Sequence, residues 1–179
     1  SLTIFIFILL NLFSIRTFDS LNLALTIISS GGFLPVNDLS NIIKDNYQVM
    51  VLSILMLLSF FSLFFVYNLF FSKKNNINFF YEDLHLVIYL ISVITIFFLF
   101  FSFNYNFSYN LLAITTSISN IGFSLNTQQA NLNFIYLILV IIGGSFFSTS
   151  SGLRFIKIYS LLKFSLNQIL SFSRPKNVF

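Results

Sequence analysis

Cysteine and tryptophan are absent, and histidine occurs once in 179 residues. Without a thiol there is no disulfide framework, thiolate metal site or cysteine nucleophile, and the redox compartment leaves no trace. Charge is nearly as scarce. Asp, Glu, Lys and Arg together make up 8% of the chain, against about 25% in a soluble domain, so the surface cannot be covered against water. The five acids and one histidine also leave little for acid–base chemistry. None sits deep in an apolar run, where an intramembrane active site needs its ionisable groups. An enzyme is not expected, nor is an organic cofactor.

What remains is overwhelmingly apolar: 57% of residues are hydrophobic and 27 are Phe. Lipid is the expected solvent and the Phe residues its packing surface, which makes this an integral membrane protein. The net charge of +4 comes from nine basic residues that cluster as membrane topology demands, and nucleic acid is not expected as a partner. The chain enters an apolar run at once, Ser1 to Ile15, with neither a charged leader nor a small-residue cleavage site. It reads as a fragment without a signal peptide. The heavy use of Phe, Ile, Asn and Lys points to an AT-rich bacterial genome.

Apolar runs extend from Leu2 to Ile15, Tyr47 to Phe71, Leu84 to Phe103 and Leu132 to Leu162. A hydrocarbon core of about 30 Å asks for about 20 such residues as helix, so four crossings are expected. Two shorter segments, roughly Phe18 to Ser30 and Tyr109 to Asn120, lie between these runs. A dozen residues of helix reach only about 18 Å, enough to enter a membrane and stop near its middle. They read as re-entrant helices.

A shift of 90 residues lays Thr26-Ile27-Ile28-Ser29-Ser30-Gly31-Gly32-Phe33 on Thr116-Ser117-Ile118-Ser119-Asn120-Ile121-Gly122-Phe123, with five of eight positions identical. Such a period predicts two tandem units of helix, re-entrant helix, glycine loop and helix, residues 1–76 and 77–179. Lys73 and Lys74 follow the last helix of the first unit; Arg154, Lys157, Lys163, Arg174 and Lys176 follow that of the second. The positive-inside rule makes these ends cytoplasmic and turns the glycine loops outward.

A helix entering from outside carries its negative dipole end into the membrane, where a cation is favoured. Irregular backbone at that depth is tolerated where it lines a water-filled cavity or is buried in protein. The carbonyls of Ser29, Ser30, Gly31 and Gly32, with those of Ser119, Asn120, Ile121 and Gly122, are therefore the candidate cation ligands. Positive φ at Gly32 and Gly122 would turn successive carbonyls toward one axis. Ordinary turns with helix C-caps are the alternative.

The fourth run is too long for one crossing and is interrupted by Gly143-Gly144-Ser145-Phe146-Phe147-Ser148-Thr149-Ser150-Ser151-Gly152. Two readings stand: a hydroxyl-rich break that narrows a pore, or a continuous helix whose Gly144, Ser148 and Gly152 form a small-residue packing stripe. Arg154 and Lys157 read first as interfacial charges reaching toward the cytoplasm and second as gate charges. Glu82, Asp83 and His85 read as charges solvated at the start of the third long helix.

These stretches resemble the Trk/Ktr/HKT superfamily of potassium transporters, the bacterial Trk type above all. Ile28 to Phe33 resembles the second-repeat filter of that family and Ser119 to Ser124 the third-repeat filter. The stretch from Ile142-Gly143-Gly144 through Ser148-Thr149 to Gly152-Leu153-Arg154, continuing to Lys163, is similar to its intramembrane gating loop, and Arg174 to Val178 to the lead into a fourth repeat. The resemblance implies a channel-like all-α fold, transported potassium and a gating loop of Gly143, Gly144, Ser148, Thr149, Gly152 and Arg154. It further implies a homodimer in a bacterial inner membrane with a cytoplasmic nucleotide-binding regulatory subunit. Phe147, Ser150 and Ser151 stand where the family loop has glycine, and Asn120 where it has Thr. The chain supplies two of the four loops such a filter needs. A rival class is a non-conducting membrane assembly protein.

Overall fold

The computed structural model describes residues 2–36, 38–63, 66, 77–101, 107–123 and 133–173, with side chains at all of these except 77–82, 100, 101 and 173. Ser124, Lys73, Lys74, Arg174 and Lys176 lie outside the described residues, as does the side chain of Glu82. Within them the chain is helical: α1 Leu2–Leu12, α2 Thr17–Ser29, α3 Asn46–Phe60, α4 Ile77–Phe101, α5 Phe107–Ser119, α6 Asn133–Ile141 and α7 Phe155–Ser173, with one short 3-10 turn at Leu39–Asn41. Among the described residues no helix is long and apolar enough to cross a membrane.

The 90-residue repeat is exact in the backbone of the short helices. α2 and α5 each hold 13 residues and start and stop at equivalent positions. Each ends in the same way: the N–H groups of Ser30 and Gly31 donate to Ile27 and Thr26, those of Asn120 and Ile121 to Ser117 and Thr116. This paired 5→2 and 6→1 closure is the Schellman motif, which needs a left-handed residue just past the helix. Ser30 (φ 50°) and Asn120 (φ 58°) take that role. Asn does so at low cost because its short polar side chain tolerates the left-handed region.

α5 is the central element. Leu112 belongs to one apolar cluster with Ile6, Leu10, Leu23, Ile27, Leu52 and Met56. Ala113, Ile114 and Ile118 belong to a second, with Phe60, Leu86, Leu90, Tyr136 and Leu139. A helix apolar on opposite sides has to be enclosed, and α5 is held between the two clusters, its main neighbour being α3. Hydroxyls along it bond inward, Thr115 to the Leu112 carbonyl, Ser117 to Ala113 and Ser119 to Thr115. Gln48 ties the start of α3 to the end of α1. Its Oε1 accepts from the Lys44 N–H at 3.0 Å and its Nε2 donates to the Phe13 carbonyl at 3.0 Å.

Three expectations change. α3 stops at Phe60, well short of the run that reaches Phe71; Phe61 is extended (φ −79°, ψ 162°), and residues 63 and 66 are helical again. The run from Leu132 is two helices, α6 and α7, separated by non-helical chain. Gly144, Ser148 and Gly152 therefore share no helical stripe, and the packing-stripe reading falls. α4 begins at Ile77, so Asp83 and His85 sit inside it, with Asp83 only 1% exposed and accepting from Ser62 Oγ at 2.9 Å. His85 is exposed and lies against the Tyr159 ring, centroids 5.3 Å apart.

Candidate functional site, a pair of glycine loops beside a hydroxyl-rich loop

The loops after α2 and α5 meet. Gly32 has φ 67° and Gly122 φ 81°, the left-handed region open to glycine at no steric cost. At Gly32 space is also closed, since a Cβ there would run into the Ile121 carbonyl oxygen of the other loop. At Gly122 a Cβ would meet nothing within 4 Å. Gly122 instead borders a cavity of about 380 Å³ whose polar lining comes from Thr116, Ser117, Asn120 and Asn133 and whose apolar wall includes Tyr136 and Val140 of α6. The second loop is pinned on its way out, where the Phe123 N–H donates to Thr116 Oγ1 at 2.9 Å.

Of the eight candidate residues, Gly32 of the first loop is thus brought against Ile121 of the second, each loop following the C-terminal end of a short helix, α2 half-exposed and α5 buried. Both C-termini carry partial negative charge. Ser30 Oγ and Asn120 Oδ1, at equivalent positions, are buried with no hydrogen-bond partner among the described residues. An acceptor oxygen shut away from water without a donor is costly, and here one occurs in each loop.

Gly143, Gly144, Ser148, Thr149, Gly152 and Arg154 form the third part, between α6 and α7. Its base is closed by the Gly143 N–H donating to the Leu153 carbonyl at 2.8 Å and the Leu153 N–H to Ile141 at 3.0 Å. Inside runs a relay of hydroxyls. Ser148 Oγ donates to the Ser145 carbonyl at 2.8 Å, which leaves Ser150 Oγ to donate to Ser148 Oγ at 3.0 Å while accepting from the Gly144 N–H at 3.0 Å. Gly152 (φ 92°) makes the turn in a confined place, for a Cβ would lie 3.0 Å from both Asn120 Nδ2 and the Val140 carbonyl oxygen.

This loop is joined to both neighbours. Asn120 Nδ2 donates to the Ser151 carbonyl at 2.8 Å, a direct bond from the glycine loop above it. On its other side it caps α3: the Ser145 N–H donates to the Phe60 carbonyl at 3.2 Å, the Ser150 N–H to Ser59 at 3.2 Å, and Thr149 Oγ1 to Ser59 at 3.3 Å. In return the Leu63 N–H donates to the Phe147 carbonyl at 3.2 Å. The inserted loop supplies donors that the next turn of α3 would otherwise have given, and α3 ends where the loop enters.

Arg154 corrects an expectation. Rather than reaching out to an interface, its Nη1 turns back to the Ser145, Ser148 and Ser150 carbonyls at 3.2, 3.1 and 3.2 Å and to Ser148 Oγ at 3.2 Å. Lys157, one helical turn on, is exposed. Ser59, Phe60, Ser145 and Ser151 take part through backbone atoms, so no residue-type signal pointed to them. The dense hydroxyls of Ser148-Thr149-Ser150-Ser151 were the nearest sign. Among the described residues no group of three or more His, Cys, Asp and Glu side chains is arranged to hold a metal; the oxygens gathered here are carbonyls and hydroxyls.

No protein-family model matches the chain, and no curated protein matches it. Among solved structures it is similar to the potassium transporter TrkH from Vibrio parahaemolyticus, with a TM-score of 0.83 at 19% sequence identity. The match covers 100% of this chain and 41% of that one. At that identity the likeness is one of fold, and the chain spans less than half the length of the protein it matches.

Proposed function

We propose that this chain is the central part of a bacterial inner-membrane potassium uptake protein, in which the loops after α2 and α5 supply two quarters of a carbonyl-lined filter. The α6–α7 loop is the constriction beneath them. The observation that carries the reading is the meeting of two equivalent loops, each following a 13-residue helix and each turned by a positive-φ glycine, with Gly32 seated against the Ile121 carbonyl. Helix C-termini facing a common point attract a cation, and closely spaced carbonyls replace its hydration shell. The fold shared with a potassium transporter supports potassium as the ion.

Lipid as the surrounding solvent is supported by the outer surface. Leu12, Leu99, Phe134 and Phe172 are 72%, 74%, 72% and 89% exposed, and apolar side chains stand out along α1, α4, α6 and α7. A soluble monomer rarely exposes more than a few hundred Å² of contiguous apolar surface. A homodimer and a cytoplasmic nucleotide-binding regulatory subunit complete the proposed assembly. The alternative is a non-conducting membrane assembly protein in which the glycines serve close helix contact; of its small-residue sites, Gly144, Ser148 and Gly152 lie in the loop and form no helical stripe.

Rubidium uptake into potassium-starved cells tests the filter. Gly32→Asp and Gly122→Asp each place a side chain in a left-handed backbone and a carboxylate beside the filter carbonyls, and each is expected to abolish uptake while the protein still reaches the membrane. Normal transport by both variants removes the filter reading.

A further inference from the structure

We propose that the α6–α7 loop is a cation cage that the chain fills with its own guanidinium, so that its closed shape depends on the positive charge of Arg154. Four oxygens, the Ser145, Ser148 and Ser150 carbonyls and Ser148 Oγ, lie 3.1–3.2 Å from the single atom Nη1. That nitrogen carries two hydrogens, so directed hydrogen bonds account for two of the four. The remaining attraction is that of a charge at the focus of convergent dipoles. Carbonyls pointing at one place repel one another unless a cation sits there, as in ion-coordinating loops.

Two further observations fit a cage better than an ordinary side-chain anchor. Ser145 is 0% exposed, and its Oγ is without a hydrogen-bond partner among the described residues, an unmatched buried hydroxyl on the residue whose carbonyl meets Arg154. The rest of the loop is bound from outside, to Ser59 and Phe60 on one side and Asn120 on the other. Its inner oxygens are therefore left to Arg154, to the Ser148–Ser150 relay and, at the Ser145 carbonyl, to the Ser148 N–H at 3.2 Å. Arg154 follows the loop directly, so the tether is short and the charge is always at hand. The ligand class for the emptied cage is a small monovalent cation without its water, with the guanidinium ion as closest match. The geometry stands by itself; only the consequence for permeation rests on the proposed pore.

A thiol reporter reads the cage without any need for transport, and since these 179 residues contribute no cysteine, its labelling is read as the difference from the full-length protein without the reporter. Ser145→Cys in the full-length protein places a near-isosteric thiol at a fully buried position whose hydroxyl bonds to nothing described. In that background maleimide labelling is expected to be slow. Adding Arg154→Ala should speed it about tenfold or more, as for the loss of a charge-assisted hydrogen-bond set. Millimolar guanidinium, far below denaturing levels, should restore protection, and urea, a neutral molecule of the same shape, should not. Arg154→Lys keeps the charge and should label nearly as slowly as the parent. Equal protection by urea, a Lys variant that labels like the Ala variant, or an Ala variant that stays protected would overturn the cage. Rubidium uptake measured on the same proteins reports separately on the pore, so either idea can fail alone.

Discussion

The glycines at 32 and 122 look equivalent in sequence yet differ in what surrounds them. Both hold positive φ, a backbone that costs a non-glycine residue about 1–2 kcal/mol. Gly122 faces open space, whereas Gly32 abuts the Ile121 carbonyl. Gly122→Ala should therefore lower stability by about that strain alone. Gly32→Ala adds a clash with backbone that cannot turn aside and should cost clearly more, with thermal unfolding in detergent as the measurement. Equal losses would mean that the two loops are not in contact. The positive φ itself was legible in advance, because glycine at matched positions after two short apolar segments has few other reasons. The role of Asn120 was legible only in part. A left-handed helix cap suits Asn, but its bond to the Ser151 carbonyl crosses 31 residues and leaves no local pattern.

Among the elements, α2 and α5 could be placed to within two residues, since both their length and their stopping point follow from a repeat the eye can find. The end of α3 could not. Nothing in Leu57-Leu58-Ser59-Phe60-Phe61 breaks a helix by propensity, for there is neither Gly nor Pro. The break is imposed by donors arriving from residues 145, 149 and 150. Asp83 was misread for a related reason: its helix begins about two turns earlier than the apolar run, and burial against Ser62 is a tertiary fact. Inside the α6–α7 loop the hydroxyl relay should bear weight. Ser150→Ala leaves the buried Gly144 N–H without its acceptor, a loss of about 1–3 kcal/mol, and should speed labelling of the Ser145→Cys reporter. No change would mean that the relay is incidental.

At the scale of the whole molecule, the described helices wrap two apolar clusters that share α5, and much of the described outside is as apolar as the inside. Covering such a surface with lipid removes the cost of exposing it, about 25 cal/mol for each Å². The protein should accordingly stay with the membrane pellet through alkaline carbonate extraction, and release into the supernatant would contradict lipid as its solvent. The capping of α3 carries a last consequence. Among the described residues the Ser59 and Phe60 carbonyls accept from N–H and O–H groups of the loop, and an apolar surround offers no replacement donor. If the loop withdraws, water is the one donor small enough to follow it in. If the loop is the proposed constriction, opening it and wetting it are a single event, and the barrier to the dry-to-wet step is set by a helix end rather than by the width of the gap.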